Sequence, residues 1–315
     1  MGITVKNPGL FTTVQDEGRL GYQQFGVTPS GPMDAHAFHL ANVLVGNPKA
    51  EGALEMTFQG PSLTFTEDNV IAVTGADMQP KLNGEPLLMY SAVSVRAGDE
   101  LQFGFAVNGA RGYLAFAGGL EIPLVMDSKS TLASKNMGGY QGRKLEAGDT
   151  IAFTAPKTKL SKQEDRVLSK PLYPTDEVVL RAVPGPQDFE FTREELRKFF
   201  WFSGKITNEF DRMGCRLERE VPVKHIGDGN IISDGIAMGS VQIPTNGQPI
   251  IMLADRQTVG GYTKIATVIS VDLGKLAQAR PGMRVRFVRV GIELAQDLYC
   301  KELSEIEALQ KRWEE

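Results

Sequence analysis

The chain has 315 residues, of which 42% are hydrophobic and 23% charged, as in an ordinary soluble globular protein. Its formal net charge is −4 and no basic stripe runs along it, which argues against a nucleic-acid partner. Cys215 and Cys300 lie far apart without metal-site spacing and fit a reducing compartment. There is no secretory signal core and no long apolar run, so we expect a cytoplasmic protein without a membrane partner.

Glycine and proline turns punctuate short β-rich runs along the whole chain, a pattern typical of a β-barrel or sandwich. Three segments share a glycine turn that feeds an alternating strand with an apolar residue and then a Phe on one face. They begin at Ala97, Ala147 and Pro281. We therefore predict a mainly β protein of two barrel domains, residues 1–160 and 175–315, joined by a polar linker at 157–174.

Helices are few in the predicted order. We expect one at 33–45, one at 191–202 with a Thr192–Glu195 capping box, a short one after Asp272, and a C-terminal helix at 292–313. The C-terminal helix carries an apolar stripe that favours core packing over a partner site. The stripe consists of Leu294, Leu298, Ile306, Leu309 and Trp313.

The two halves share an order of features. A β-rich run from Arg111 is followed by Ser130-Thr131 and Gly138-Gly139-Tyr140, and a run from Pro249 is followed by Gln257-Thr258 and Gly260-Gly261-Tyr262. This order suggests a duplicated barrel. The alternative is that glycine turns and alternating strands recur in any all-β protein.

The stretch 239–273 combines strand patterns with polar chemistry. Ser240–Ile243 and 249–254 flank a Pro-Thr-Asn-Gly turn, which predicts a hairpin, and polar residues then precede a β-branched run. Glycines beside such a cluster let backbone N–H groups approach a ligand, although a simple polar turn is the plainer interpretation. The cluster consists of Asp255, Arg256, Gln257, Thr258, Gly260, Gly261 and Tyr262.

Three more polar clusters lie where strands should end, and together the four could line a cleft for a small amide or carboxylate. Each Asp–Arg neighbour could equally be a structural ion pair. The three clusters are Gln15-Asp16-Glu17-Gly18-Arg19 with Ser30, Met33 and Asp34; Gly185-Pro186-Gln187-Asp188-Phe189; and Asp211-Arg212-Met213-Gly214.

Several well-known motifs are missing. The chain has no phosphate-binding P-loop, dinucleotide fingerprint, Gly-x-Ser-x-Gly elbow or Ser-x-x-Lys nucleophile. His36 and His39 could share a helix face, but further ligands at familiar spacings are lacking, so we predict no metal site.

The motifs together resemble the allophanate hydrolase subunit 2 family, which includes the C-type subunit of 5-oxoprolinase (KipA) and the carboxyltransferase domain of urea carboxylase. The match runs nearly end to end. It is carried by Thr13–Arg19 in the form TVQDEGR, by SGPMD at 30–34, ANVLVGN at 41–47, GPQD at 185–188, DRMG at 211–214 and DRQTVGGY at 255–262.

The resemblance implies two cyclophilin-like β-barrels in one member of a larger assembly. The implied reaction is ATP-dependent opening of the 5-oxo-L-proline lactam to L-glutamate. ATP with Mg would be bound with or by two partners, namely the B-type subunit (KipI, of the allophanate hydrolase subunit 1 type) and the A-type subunit of 5-oxoprolinase. Phosphorylating the lactam oxygen would make an unreactive amide open to attack by water.

The resemblance also implies site residues. Asp255 and Gln187 are the predicted catalytic residues, at positions where urea carboxylases carry an asparagine and a histidine. Asp255 can accept a proton or orient an amide, whereas Gln187 cannot titrate. This departure, and the lack of an Ala-Met-Lys-Met sequence, makes biotin an unlikely cofactor. The predicted substrate contacts are Gln257, Thr258, Gly260, Gly261, Tyr262, Asp211, Arg212, Gln242, Asn246, Ser30, Met33 and Asp34.

Three functions remain as alternatives at this point. The first is the C-type subunit of 5-oxoprolinase, with part of the substrate site at its interface with the B-type subunit. The second is a KipA-like regulatory protein that counters a histidine-kinase inhibitor by binding it. The third is a urea or amide carboxyltransferase subunit, which would need bicarbonate and a biotinylated partner.

Overall fold

The computed structural model describes residues 2–314, and the fold is mainly β, as predicted. The chain divides into two compact units. The first unit contains the chain up to Leu20, Ser30–Tyr173 and the chain from Leu303. The second contains Gly21–Pro29 and Pro174–Glu302.

The first unit consists of two antiparallel sheets and one short α-helix. One sheet has the order β11-β1-β4-β9-β6-β7 and the other β2-β3-β10-β5-β8, and α1 packs on β5 and β10. The elements are β1 (Gly2–Asn7), β2 (Phe11–Gln15), α1 (Ala35–Leu44), β3 (Ala53–Thr57), β4 (Ser62–Phe65), β5 (Asn69–Asp77), β6 (Lys81–Leu82), β7 (Glu85–Pro86), β8 (Val93–Val95), β9 (Glu100–Gln102), β10 (Asn108–Phe116) and β11 (Thr150–Ala152).

The second unit forms a single eight-stranded sheet that closes on itself. Its order is β12-β19-β13-β14-β17-β16-β18-β15, and a further pairing of β12 with β18 completes a barrel with β15 on its outside edge. The elements are β12 (Glu177–Pro184), α2 (Arg193–Trp201), β13 (Gly204–Phe210), β14 (Gly214–Glu218), β15 (Asn230–Gly235), β16 (Ser240–Ile243), β17 (Ile250–Met252), β18 (Val259–Val268), α3 (Ser270–Ala277) and β19 (Arg284–Arg289). The last helix, α4 (Ile292–Glu314), begins in this unit and ends in the first.

The alternation of apolar residues explains both cores. β12 and β19 run parallel in register, and their inward residues Leu180, Val285 and Phe287 are buried. Phe199 of α2 stacks on Phe287 with 4.6 Å between ring centroids, which fixes the helix on the barrel. Among residues 2–314, no helix has the length and apolar character needed to cross a membrane.

The predicted glycine turns and helices are confirmed. Gly98, Gly148 and Gly282 all have positive φ (95°, 92° and 94°) and lead into β9, β11 and β19, which is why glycine is needed there. All four predicted helices occur. In α2, Thr192 accepts a 3.2 Å hydrogen bond from the Glu195 N–H, as the capping box predicts.

The unit boundaries differ from the predicted domains at two places. The sequence places the C-terminal helix wholly in the second domain, but Ile306 and Trp313 belong to the hydrophobic core of the first unit, whereas Leu294 is 47% exposed. Burial of large apolar side chains, the indole above all, decides where this segment packs. Residues 21–29 belong to the second unit, where the Thr28 hydroxyl donates to the Arg256 carbonyl at 2.8 Å.

The predicted linker packs against the first unit and belongs to it as far as Tyr173. Arg166 is buried and donates to the carbonyls of Val43 and Leu44, at the end of α1, and of Trp313. Carbonyls at a helix end lack partners within the helix, so the guanidinium satisfies groups that would otherwise be costly to bury. Burial lowers the pKa of Arg166 below its ordinary value.

The glycine pairs that suggested a duplication have different conformations. Gly138 and Gly139 have positive φ (64° and 56°) in a turn, where a Cβ would collide with Arg19 and Thr131. Gly260 and Gly261 lie in extended backbone inside β18. The shared order of features therefore does not reflect a shared local structure at these positions.

Candidate functional site

A cavity of about 390 Å³ opens on the second unit and gathers residues that the sequence predicts to bind substrate. Ile250 and Met252 give it an apolar wall, and the ion-paired Glu209 and Arg216 lie at its charged side. Such a mixture of apolar surface and a few polar groups is typical of small-molecule sites. The predicted residues that line it are Asp211, Gln242, Gln257, Gly260 and Tyr262.

The strand register brings these side chains onto one face. The predicted hairpin forms, with Val241 opposite Ile251 and Gln242 opposite Ile250. On its other side Gln242 lies opposite Lys264 of β18, so the two side chains share a face. Because side chains alternate along a strand, Gly260, Tyr262 and Lys264 also share that face.

Gln242 is a buried polar group of this cavity with unused hydrogen-bonding capacity. It is only 5% exposed, and its Nε2 is buried without a partner among residues 2–314. A Cβ at Gly260 would lie 2.8 Å from this nitrogen, so glycine leaves room for the amide. A buried N–H₂ group without an acceptor is costly, which makes it a donor ready for a ligand oxygen.

Lys264, which lies opposite Gln242, is a buried charged residue that the sequence analysis does not single out. Its side chain is 2% exposed, and its Nζ donates to the Asp234 carboxylate at 3.2 Å, the one ion pair that this ammonium makes among the described residues. An ammonium has three N–H donors, so two have no protein acceptor there. The hydrogen bond from Lys264, followed by that from the Gly235 N–H, lowers the pKa of Asp234.

Gln187, a predicted catalytic residue, joins the same group. Its Nε2 donates to Asp234 at 3.3 Å and its Oε1 accepts from the Lys264 backbone N–H at 3.2 Å. The amide thus orients the carboxylate that faces the buried ammonium. The structure places Gln187, Asp234 and Lys264 in one hydrogen-bonded cluster.

Asp255, the other predicted catalytic residue, is engaged in an ion pair. Both of its oxygens accept from Arg212, at 2.9 Å from Nε and 3.0 Å from Nη2, and both side chains are largely buried. A bidentate pair of this kind positions the turn between β17 and β18, which carries Gln257 to the cavity. The role of Asp255 as a base stays a prediction.

The next residue, Arg256, holds the same turn from the other side. Its buried guanidinium donates to the Ile236 and Leu253 carbonyls. Burial lowers the pKa of Arg256 to about 10.

Four predicted contacts on the second unit do not line the cavity, and one of them is Arg212, whose guanidinium is paired with Asp255. Asn246 accepts from the Gln248 N–H at 3.0 Å inside the hairpin turn. The Thr258 carbonyl accepts from the Ile236 N–H at 3.0 Å. Gly261 lies on the opposite face of β18 from Gly260.

Ser30, Met33 and Asp34 belong to the first unit, where they lead into α1. Asp34 caps the helix by accepting from the Ala37 N–H at 3.1 Å. The Met33 N–H and the Tyr113 hydroxyl both donate to the buried Glu55 carboxylate. Burial, and then the negative charge of Glu55, raises the pKa of Tyr113 well above its ordinary value.

The predicted cluster around Asp16 is also in the first unit and is densely bonded. Asp16 Oδ1 accepts from the Gly18 N–H at 2.9 Å and from the Ser128 and Ser130 hydroxyls at 2.6 Å each. Its Oδ2 accepts from the Lys129 N–H at 2.5 Å. The carboxylate ties two distant loops together and has little capacity left for a ligand.

The two helical histidines do not gather a metal site. His39 is buried with its Nε2 on the Glu17 carboxylate, and His36 is exposed. Among residues 2–314, no group of three or more His, Cys, Asp or Glu side chains could hold a metal ion.

Comparisons with known proteins show which family has this fold. Residues 25–289 match the family model described as carboxyltransferase domain, subdomain A and B, and the chain belongs to that family. The chain is 36% identical to the 5-oxoprolinase C subunit of Escherichia coli (strain K12), and the match covers 91% of each chain. It is 37% identical to the 5-oxoprolinase C subunit of Haemophilus influenzae, over 92% of this chain and 91% of that one.

A solved relative gives the same fold. The urea amidolyase of K. lactis superimposes with a TM-score of 0.90 at 31% identity, over 98% of this chain and 20% of the much longer relative. The resemblance predicted from the sequence motifs is thus confirmed. The relatives carry two kinds of name, 5-oxoprolinase on one side and urea amidolyase or urea carboxylase on the other.

The chemistry available in the cavity is recognition of a small ligand that carries oxygen acceptors. Gln242 provides a donor and Ile250, Met252 and Tyr262 provide apolar surface, while Lys264 lies opposite Gln242 on the neighbouring strand, behind the residues that line the cavity. The described residues that line the cavity include no nucleophile with an adjacent base, so bond making would need groups from elsewhere.

Proposed function

We propose that this chain is the C-type subunit of an ATP-dependent 5-oxoprolinase and that the cavity of its second unit supplies part of the substrate site. The observation that carries the proposal is the cross-strand pair of Gln242 and Lys264, two buried side chains with unused donors, of which Gln242 lines the cavity together with other predicted contacts. The two relatives named as the C subunit of 5-oxoprolinase, each matched over about nine-tenths of this chain, support the same assignment.

The donors suit the chemistry of the substrate. 5-Oxo-L-proline presents a lactam oxygen and a carboxylate, both of which accept hydrogen bonds, on a compact ring with apolar methylenes. Lys264 and Gln242 would bind its oxygens while Ile250 and Met252 contact the ring. Asp234 would serve as the counter-ion of Lys264 until an anionic ligand arrives.

The remaining parts of the reaction belong to partners in this proposal. ATP with Mg would be bound with or by the A-type and B-type subunits, since this chain carries no standard nucleotide motif. The cavity would lie at the interface with the B-type subunit. Biotin is not needed, because the lactam is activated by phosphorylation and opened by water.

The test is a glutamate-release assay on the complex reconstituted from this chain and its A-type and B-type partners. Lys264→Met should lower kcat/KM by at least about a hundredfold, the usual effect of losing one donor to a developing negative charge. Lys205→Met, which replaces an exposed lysine of the same unit, is the matched control and should keep full activity.

Two results would contradict the proposal in different ways. Glutamate release that continues without this chain would exclude it as a component of the enzyme. Full activity of both Lys264→Met and Gln242→Leu would keep the chain in the complex but remove the cavity from the substrate site.

A carboxyltransferase activity is the second candidate, because the urea amidolyase of K. lactis shares the fold over 98% of this chain. In that case the same cavity would hold urea or an amide, and turnover would require bicarbonate and a biotinylated partner. Omitting bicarbonate separates the two candidates, since opening of the lactam does not consume it.

A further inference from the structure

A second, larger groove lies on the outer side of helix α2, away from the residues of the candidate site. It has a volume of about 950 Å³, and we call it the arginine–tryptophan groove. Its apolar floor is made by Leu196, Phe200, Trp201 and Phe202. The charged residues that line it are Arg193, Glu194, Arg197 and Lys198 from α2 and Arg289 from the end of β19.

The groove follows from the pattern of α2. Residues 193, 196, 197 and 200 recur at helical spacing and form one stripe, while Phe199 and Glu195 are buried on the opposite face. Beside the stripe, Trp201 is 79% exposed, an unusual position for the largest apolar side chain. An apolar surface of this kind on α2 is typical of a surface that a partner covers.

The charges around the groove are unbalanced. Among residues 2–314, no carboxylate pairs with Arg193, Arg197 or Arg289. The nearby Glu194 and Glu195 both pair with Lys198, at 2.8 Å and 3.0 Å. Three guanidinium groups without a carboxylate partner among residues 2–314 therefore line the groove together with its apolar side chains, in a chain whose net charge is negative.

We propose that the arginine–tryptophan groove docks an acidic segment of a companion subunit, which places an apolar side chain against Trp201 and carboxylates on the three arginines. Tryptophan and arginine are enriched among the residues that dominate interface energies, and an indole ringed by charge has the anatomy of such a centre. Arginine forms bidentate pairs with carboxylates. The identity of the companion rests on the proposed function, whereas its chemistry is argued from the surface alone.

A nucleotide fits this surface less well than a polypeptide. Phosphates bind where free backbone N–H groups converge, usually at a helix start. At the start of α2 the Thr192 hydroxyl caps the Glu195 N–H, and Glu194 and Glu195 add negative charge in the first turn. An open groove lined by arginines and apolar side chains suits an extended chain.

The test measures binding of this chain to its purified A-type and B-type partners at several salt concentrations. Trp201→Ala should weaken the complex at least about thirtyfold, the size of a hot-spot truncation. Replacing Arg193, Arg197 and Arg289 by Glu should weaken it more and remove most of its salt dependence. Arg284→Glu on the same strand as Arg289 and Phe105→Ala, an exposed aromatic of the first unit, are controls that should bind normally.

A spectroscopic readout locates the contact. The chain has two tryptophans, and Trp313 is buried. With 5-fluorotryptophan labelling, the ¹⁹F signal of Trp201 should move on complex formation while that of Trp313 stays.

The outcomes of this binding test can be told apart from those of the glutamate-release assay. Loss of binding in the groove variants supports the docking surface even if no glutamate is released. Normal binding of the variants, or no binding to either partner, overturns it. Movement of the Trp201 signal on addition of Mg-ATP alone, abolished in the arginine variant, would also overturn it in favour of a nucleotide site.

Discussion

Two polar clusters in this protein differ in how completely their hydrogen bonds are satisfied. In the first unit, the buried Asp16 carboxylate accepts from Gly18, Ser128, Lys129 and Ser130. In the second unit, the buried Lys264 ammonium has one carboxylate partner among the described residues, on a half-exposed aspartate. Nearby, the Gln242 amide nitrogen has no acceptor among residues 2–314.

The difference distinguishes polar groups that hold the fold together from polar groups that still have donors for a ligand. A buried charge whose hydrogen bonds are all made by the protein holds the fold together and gains nothing from a ligand. Buried donors without acceptors lower the stability of the free protein. A protein can keep such donors when a bound ligand supplies the missing acceptors. The sequence does not report this difference, because Asp16 lies in a polar turn after a β-rich run and Lys264 lies inside a strand pattern, and neither local pattern shows how many partners the buried charge has.

The strongest test of the structural cluster is Asp16→Ala. The substitution leaves the Lys129 N–H and the Ser128 and Ser130 hydroxyls without their shared acceptor, so we expect a loss of about 4 kcal/mol in the free energy of unfolding. Urea unfolding followed by the emission of Trp313, which lies in the core of the first unit, measures it in a Trp201→Phe background.

Glu121→Ala provides the comparison for Asp16→Ala. Glu121 is an exposed carboxylate of the same unit, and its replacement should cost less than about 0.5 kcal/mol. Equal effects of the two variants would mean that the Asp16 cluster does not hold the unit together.

Much of the fold could be predicted from short-range chemistry. Gly98, Gly148 and Gly282 indicate their turns because only glycine adopts such φ values freely, and Thr192 indicates α2 because its hydroxyl caps the helix. The destination of α4 could not be predicted. The apolar stripe of α4 predicts that one side of the helix is buried, but the unit in which Ile306 packs depends on the tertiary fold.

Part of the candidate site could be predicted because its residues come together through local strand pairing. Gln242, Gly260 and Tyr262 lie near one another in sequence and meet through one hairpin and its neighbouring strand. Lys264 was missed because a lysine inside a strand pattern usually indicates a solvent-facing residue. Its burial depends on its pairing with Gln242 and Asp234, and no local pattern reports that pairing.

The second unit also contains a buried carboxylate whose hydrogen bonds are made by the protein, that of Asp272, which pairs with Arg181. This pair predicts that stability falls at acid pH. Burial raises the pKa of Asp272, but hydrogen bonds from Arg181 and Lys275 outweigh it, so the pKa lies below its ordinary value. The unfolded chain, with a pKa of about 3.9, then binds the proton more readily. The stabilisation is complete above about pH 4 and is lost as the pH falls toward the folded-state pKa.

Asp272→Asn should therefore lower stability at pH 7 by about 2 kcal/mol, since two charged hydrogen-bond partners lose their counter-ion. It should also flatten the dependence of stability on pH below about 4, where the wild-type carboxylate takes up its proton. Urea unfolding of both proteins across the acid range up to neutral pH measures the two slopes. Parallel curves would show that Asp272 is not a source of the acid sensitivity.

Gly260→Ala sharpens the functional side of the comparison. The new Cβ would lie 2.7 Å from Ile236 Cδ1 and 2.8 Å from Gln242 Nε2, the ends of two flexible side chains. Because both can move, the cost in stability should be only about 1 kcal/mol. The displaced amide should raise KM in the reconstituted complex severalfold, and an unchanged KM would separate Gln242 from substrate binding.

The smallest expected effect on stability is that of Lys264→Met. An apolar side chain of similar length removes a buried charge with a single ionic partner among the described residues, and Asp234, whose side chain is 56% exposed, remains solvated. The free energy of unfolding should change by less than about 1 kcal/mol or rise. The pKa of Asp234 should also move up toward its ordinary 3.8, because its hydrogen bond from Lys264 is lost.

Carboxyl NMR titration measures the change in the pKa of Asp234. Asp228 is an internal control, since the hydrogen bonds that lower its pKa come chiefly from Asn230. A large loss of stability would instead assign Lys264 to the same structural role as Asp16.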